Sequence, residues 1–267
     1  MIAPSRFNPR LGELTGRAAQ AALATRPVIL LPLGSHESHG PSLPMGDYLA
    51  AEHIAVAIAT RAHQAEVPCL VAPVLPFGGA DYFGSVPGGI ALTQSTLRAV
   101  LTDMIGALLR HRLDRLIVLN GHGGNCQAIH EVTLAARRAH GVVIPSLYLW
   151  KVARALMDQL ATSRPGRAGH GADPVASVAM HLFGLDRPEP AAARPGRLLD
   201  LPVTDFACVQ FAGVPIDMPL ELDGIAPDGV APGADPSHAS AEDGRRLTDR
   251  LVEIGAALVA HVAEHAP

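Results

Sequence analysis

The sequence predicts an α/β fold: a mostly parallel central sheet with helices on both faces. Three observations carry that expectation. Short apolar runs alternate with helix-patterned segments four or more times, the order of a parallel sheet with helical crossovers. Several of those runs close on glycine or proline, as buried strands do. The composition, 48% hydrophobic and only 4% aromatic, is common where helices pack closely on a parallel sheet. With 17% charged residues, disorder is excluded. The 267 residues suffice for one large α/β domain. No repeat or linker divides them, so a single domain over 1–267 is expected.

The elements follow in order. "PVILLPLG" (27–34) is an apolar run ended by glycine, hence a buried strand. "DYLAAEHIAVAIATRAHQ" (47–64) places Leu49, Ile54, Ala57 and Ile58 at helical spacing. "CLVAPVLPFG" (69–78) is strand-like, but its prolines place it at an edge or end it early. Glycine and proline make 78–93 a long loop, often a functional feature. The helix over 93–112 has Leu97, Leu101, Met104 and Leu108 on one face, with Thr93 or Ser95 able to cap it. A strand (114–120), a tight "GHGGN" loop (121–125) and a helix closed by Gly141 come next. A strand over 142–150, a helix over 151–161, a loop, and a short helix over 173–184 follow. The Pro-rich stretch 185–239 holds a hairpin near "FACVQFAGVPID", and an amphipathic helix fills 238–265.

Bulk charge narrows the function classes. A net charge of −4 with no basic stripe argues against nucleic acid and against an anionic membrane surface. No apolar run reaches the ~18 residues of a bilayer span, and the start lacks an apolar leader core. Cys69, Cys126 and Cys208 are odd in number without CxxC spacing. They read as free, buried or half-buried thiols in a reducing cytoplasm. A cytoplasmic protein acting on a small molecule is the expectation.

Three polar loops carry ligand-type side chains, and in an open parallel sheet ligands bind beyond the carboxyl ends of the strands. The loop after 27–34 holds His36, Glu37, His39 and Asp47. The loop after 114–120 holds Asn120, His122 and Asn125; the one after 151–161 holds His170 and Asp173. Imidazole with carboxylate and no thiol suits Zn²⁺ first, with Mn²⁺ or Fe²⁺ as alternatives, one or two per subunit. Glu37 and His39, two apart in an extended segment, can face one site, and Asp47 is placed to bridge a metal pair. Bland readings stand beside these. Asp47 could be only a helix cap, and Asp173, before Pro174, likewise. "GHGGN" could be a plain turn or a phosphate cradle. His36 reads as a surface or supporting residue, and the histidines in helices as surface residues.

"LPLGSHESHGPSLPMGDYLAAE", "DRLIVLNGHGGN" and "APDGVAPGADPSHASAEDGRRLTDRL" resemble signature blocks of the creatininase (creatinine amidohydrolase) superfamily. The segment 77–105 resembles the family's turn before a long helix. The similarity spans most of residues 27 to 260. It implies a three-layer α/β/α fold, a two-metal hydrolytic site and hexameric assembly. It also implies cleavage of a C–N bond in a small cyclic amide, formamide or related non-peptide amide by metal-activated water. Glu37, His39, Asp47 and His122 match metal ligands, and His170 matches a catalytic histidine, with His36 in reserve. Three departures bear on the site, the first being that Glu37 and Asp47 stand ten residues apart where the family pattern, with Gly-Thr-Asp, is one longer. Val175, Ala176 and Ser177 stand where the family has Glu-Thr-Ser, so a carboxylate ligand is missing and Asp173 is the nearest substitute. Gly124 stands where creatinine-cleaving members have Glu. Those departures keep two other readings open: a metal-dependent lyase or isomerase on a small hydroxylated metabolite, and a non-catalytic, metal-poor paralogue.

Overall fold

The structure, a computed structural model, describes residues 7–80, 87–162, 167–190, 196–205, 208–218, 226 and 228–266. Its main sheet comprises β1 (Val28–Leu33), β2 (Cys69–Val71), β3 (Leu116–Asn120) and β4 (Ser146–Tyr148) in the order β2-β1-β3-β4. All three pairings are parallel, in line with the expectation. The seven described helices are α1 (Gly16–Leu23), α2 (Asp47–Gln64), α3 (Gln94–Arg110), α4 (Cys126–His140), α5 (Leu149–Gln159), α6 (Val175–Phe183) and α7 (Ala241–His265).

The strands alternate strictly between two cores. Val28, Leu30, Ile117 and Leu119 pack with α2, α5 and α7. Ile29, Leu31, Leu33, Leu116 and Val118 pack with α3 and α4 on the opposite face. Successive strand side chains point to opposite faces, so an unbroken apolar run requires a helix layer on each side. That gives the three layers α/β/α. β1 is central, with β2 on one side and β3 on the other, so the chain reverses direction across the sheet between β1 and β3. The loops leaving those two strands part there and open a crevice at their carboxyl ends.

Local chemistry sets most boundaries. Thr93 accepts the Thr96 N–H and starts α3; Gly141, at φ 71°, closes α4. β2 is an edge strand that ends before Pro73, as its prolines indicate. The apolar run 142–150 is not one strand. Val142 and Ile144 pack against the α3/α4 side without pairing. Pro145 offers only its carbonyl, to Val118 N–H at 2.9 Å, and α5 begins at Leu149, earlier than expected. α1 was not anticipated: none of its residues is fully buried, although Ala22 and Leu23 pack half-buried against the α3/α4 core.

A second, antiparallel sheet is formed by β5 (Arg197–Leu198), β6 (Leu201–Asp205), β7 (Cys208–Phe211) and β8 (Val214–Asp217). The expected hairpin corresponds to β7 and β8; its first two residues, 206–207, lie outside the described residues, as do 81–86 of the loop 78–93. Among the described residues no helix is long and apolar enough to cross a membrane.

Candidate metal centre

Glu37, His39, Asp47 and His122 are each no more than 4% exposed and line one cavity of about 480 Å³ at the crevice between β1 and β3. Each is placed by a different local device. Glu37 and His39 follow β1, and the Glu37 N–H is tied to the Met45 carbonyl at 2.8 Å. Asp47 is the first residue of α2, not its cap: Gly46 holds the cap position. The Asp47 carboxylate instead accepts the Ser35 N–H at 2.5 Å. This approach demands glycine at 34, where a Cβ would stand 2.3 Å from Asp47 Oδ1 and 2.5 Å from the Tyr48 nitrogen.

His122 is held by two fully buried asparagines. Asn120 accepts the His122 N–H at 3.0 Å and donates to its carbonyl at 2.7 Å. Asn125 donates to the Gly34 carbonyl at 3.0 Å and to Asn120 Oδ1 at 3.2 Å, and accepts the Gly79 N–H at 2.9 Å. The "GHGGN" loop is thus a clamp joining the β1 and β3 loops, and these asparagines orient His122. Gly124 cannot carry a side chain on this backbone: its Cβ would lie 2.2 Å from the Gly79 carbonyl oxygen and 2.6 Å from His122 Nε2.

The imidazoles share one arrangement. His122 Nε2 meets the Gly79 carbonyl at 2.9 Å, His39 Nδ1 the Glu37 carbonyl at 3.1 Å, and His170 Nε2 the Ser38 carbonyl at 2.6 Å. A carbonyl only accepts, so each ring donates there; in the neutral His39 and His170 the other nitrogen then carries the lone pair, while His122 Nδ1 faces Glu37. That is how metal-ligating histidines are usually oriented. His122 Nδ1 lies 3.0 Å from Glu37 Oε1 and 3.6 Å from Asp47 Oδ2; His39 Nε2 lies 3.8 Å from the same Asp47 oxygen. His170 stacks on His39 with ring centroids 4.5 Å apart. Two groups therefore have ligand atoms mutually within 4.8 Å: Glu37, Asp47 and His122, and Glu37, His39 and His170.

Electrostatics favour a cation in this position. Burial works to raise the Glu37 carboxyl, but His122 outweighs it and holds the group at about 2. Burial works to lower His122, yet Glu37 and Asp47 lift it well above the usual imidazole value. Burial pushes His39 down to about 4 and lowers His170 too, so both favour the neutral form that can ligate. Glu37 Oε2 is buried without a hydrogen-bond partner among the described residues. A buried carboxylate oxygen left bare is costly, and a metal ion would satisfy it. The donor set, imidazole and carboxylate without thiolate, fits a divalent zinc-, manganese- or iron-type ion.

Two expected residues stand elsewhere. Asp173 lines the cavity but belongs to neither ligand group. Its Oδ2 is bound by Arg167 Nε and its Oδ1 accepts the Ser177 N–H at 2.9 Å. The carboxylate is thus occupied in capping α6 and pairing a buried guanidinium, which also reaches Asp243 at 2.6 Å. No local pattern points to this Arg167 link. His36 is half-buried, carries strand-like bridges to Gly46 and Ile90, and is not among the cavity-lining residues. Trp150 forms part of the cavity wall and donates its indole N–H to the Gly121 carbonyl. Of the three free thiols, Cys126 is exposed, against the expectation of burial, and Cys208 lines the cavity.

A family model described as Creatininase: Creatinine amidohydrolase matches residues 12–259. The mycofactocin precursor peptide peptidase of Mycobacterium ulcerans (strain Agy99) is 38% identical over 126 residues, 45% of this chain and 50% of that protein. The protein of that name from Mycobacterium tuberculosis (strain CDC 1551 / Oshkosh) is 29% identical over 252 residues, 92% of this chain and 89% of that one. The creatinine amidohydrolase of Pseudomonas putida is 33% identical over 138 residues, 48% and 50% of the two chains. The chain thus matches about half the length of two of these three relatives. A crystal structure of creatinine amidohydrolase (creatininase) superposes with TM-score 0.76 at 22% identity, covering 98% and 100% of the two chains. Structures described as "Creatininase Mn" and as a variant of "Zn-Zn type" give TM-scores of 0.74 and 0.73 at 23% and 24% identity, each covering 98% and 100%. At these identities the structural likeness is one of fold.

Proposed function

Because the chain belongs to the creatininase family, whose model spans residues 12–259, we propose that it is a metal-dependent amidohydrolase cleaving a C–N bond. The observation that carries the reading is the cluster of buried Glu37, His39, Asp47 and His122 with half-buried His170, in which Glu37 Oε2 has no hydrogen-bond partner among the described residues. Glu37, Asp47 and His122 would hold one divalent ion, and His39, beside Glu37 and Asp47, would contribute to a second. Asp47 Oδ2 lies near both His122 and His39, so this carboxylate would serve both positions. When bound, such an ion supplies Lewis acidity, lowering the pKa of a water ligand toward ~7 and polarising an amide carbonyl. Zn²⁺ or Mn²⁺, named for two structures of like fold, are the proposed ions.

The protein groups do the rest. His39 stays neutral through burial and presents Nε2. His170, fixed by the Ser38 carbonyl and stacked on His39, is placed to take a proton and pass it to the leaving nitrogen. His36 lies outside the cavity lining and takes no part. Tyr148 and Trp150 wall the cavity.

Two substrate readings follow. The first is a small cyclic amide, formamide or related amide. The second is a peptide, favoured by a cavity of about 480 Å³, which holds more than a single small ring, and by the names of two relatives. Creatinine itself is disfavoured, because Gly124 has no room for a side chain on this backbone. One domain over 1–267, a cytoplasmic setting and a homo-oligomer, a hexamer by family membership, belong to the same proposal; a monomeric mass by light scattering would refute the last.

The test is direct. Purified protein should carry near-stoichiometric Zn, Mn or Fe by elemental analysis and release amine from a panel of amides and short peptides. His122→Ala should lose metal and turnover together. Full metal retention in that variant would remove His122 from the ligand set, and metal-loaded protein inert on every amide would remove the hydrolase reading.

A further inference from the structure

Helix α5 carries its charges against its own dipole. Lys151 lies in its first turn and Arg154 in its second, while Asp158 stands in the last turn. Its first turn has no acidic residue, and no side chain caps it at Tyr148. A helix N-terminus favours anions and its C-terminus cations, so this order works against the helix. A local conflict of that kind often marks a functional site.

Lys151 and Arg154 line the cavity that holds the metal-ligand cluster, and both are exposed. Three residues apart, they lie on one face of the helix. Among the described residues neither has an ion-pair or hydrogen-bond partner. The cavity's carboxylates are committed elsewhere: Glu37 and Asp47 to the histidines, Asp173 to Arg167. The cavity therefore joins a metal-ligand floor to a cationic wall built from side chains and an uncapped helix start.

We propose that Lys151 and Arg154 bind a carboxylate of the substrate, making the substrate an amide with a free carboxylate near the scissile C–N bond. The proposal rests on the amidohydrolase reading above. Arg154 offers the planar fork that takes a carboxylate through two parallel hydrogen bonds, and Lys151 adds a point charge. Both an N-acyl amino acid and the C-terminal end of a peptide present this chemistry.

Metal-loaded protein separates the possibilities. Succinic monohydroxamate, whose hydroxamate seeks the metal, is compared with its terminal-amide isostere. A short peptidyl hydroxamate ending in a free carboxylate is compared with its C-terminal amide. In at least one series the carboxylate should bind at least about tenfold tighter, and the series that shows it identifies the source. The preference should shrink with salt. Lys151→Met/Arg154→Met should abolish it while metal content and affinity for the amide-ended probes stay unchanged. The thermal midpoint should not fall, since two charges opposed to the dipole are removed. Equal affinity in both wild-type series, or a preference that survives in the double variant, overturns the proposal and leaves the metal site standing. Protein that retains no metal and binds no hydroxamate overturns the amidohydrolase reading and the proposal with it.

Discussion

Asp173 is the residue at which a ligand and a structural role give opposite numbers. Its carboxylate is 1% exposed, bound to Arg167 Nε through one oxygen and to the Ser177 N–H through the other. Asp173→Asn keeps the shape and the Ser177 contact but removes the charge that faces Arg167. Arg167, 2% exposed, would retain Asp243 at 2.6 Å and the Thr162 carbonyl at 3.0 Å. Removing one partner of a buried ion pair costs about 3–5 kcal/mol. The surviving Asp243 contact lowers the expected loss to about 2–4 kcal/mol, a large share of a typical ~5–15 kcal/mol total. The assay is urea unfolding of chelator-treated protein, which removes the stability that metal binding adds, with a metal count on the untreated variant. The expected result is a lower midpoint with an unchanged metal count per chain. Arg167→Met should cost more, since it strands Asp173 and also takes one partner from Asp243, which keeps Arg246. Combining it with Asp173→Asn should recover part of the loss, the non-additivity expected of two side chains in one ion-pair network. Loss of metal from Asp173→Asn with no change in the metal-free midpoint would refute the reasoning and make Asp173 a ligand.

Gly124→Ala puts a methyl group against the Gly79 carbonyl that orients His122. Metal affinity should fall roughly 10–100-fold, the usual effect of losing such a supporting contact, and unchanged affinity by chelator competition would show the loop to be slack. Acid should act on the metal-free protein through His39, held at about 4 against 6.5, and Glu37, held at about 2 against 4.5. Each binds fewer protons folded than unfolded, so its contribution is complete above the unfolded value. It is lost as pH falls, from 6.5 toward 4 and from 4.5 toward 2 respectively. His122, raised, works oppositely: its contribution is complete below 6.5 and lost as pH rises through its folded value. The urea midpoint should therefore drop between pH 6.5 and 4, and His39→Asn should flatten that limb; an unaltered limb would mean that His39 titrates as an ordinary surface histidine.

The sheet was legible because its strands are apolar on both faces, a pattern that only two covering helix layers satisfy. Helix α2 begins at Asp47 and ends at Gln64, as its periodicity indicates. α1 is hard to read from sequence because its core contact is slight, with Ala22 and Leu23 only half-buried. The run 142–150 misled because Val142 and Ile144 are buried by packing alone, which periodicity cannot tell from strand pairing.

For the site, residue type carried far. Glu37, His39, Asp47 and His122 stand out as candidates because imidazoles and carboxylates crowded beside strand ends have few bland explanations, whereas His170, in a loop after a helix, was pointed to by the family resemblance. Proximity is another matter. Local patterning fixes elements of a few residues, whereas the meeting of Glu37 with His122 depends on β1 pairing with β3, a contact between distant parts of the chain. Asp173 shows the cost of that gap: in sequence it is an acid beside a site histidine, and only the fold brings in Arg167 and Asp243 to claim it. The layers and the ligand-type residues were readable before folding, since both rest on local pattern and composition. Tertiary structure alone decided which carboxylates remain available to a metal, because that depends on where every competing cation comes to lie.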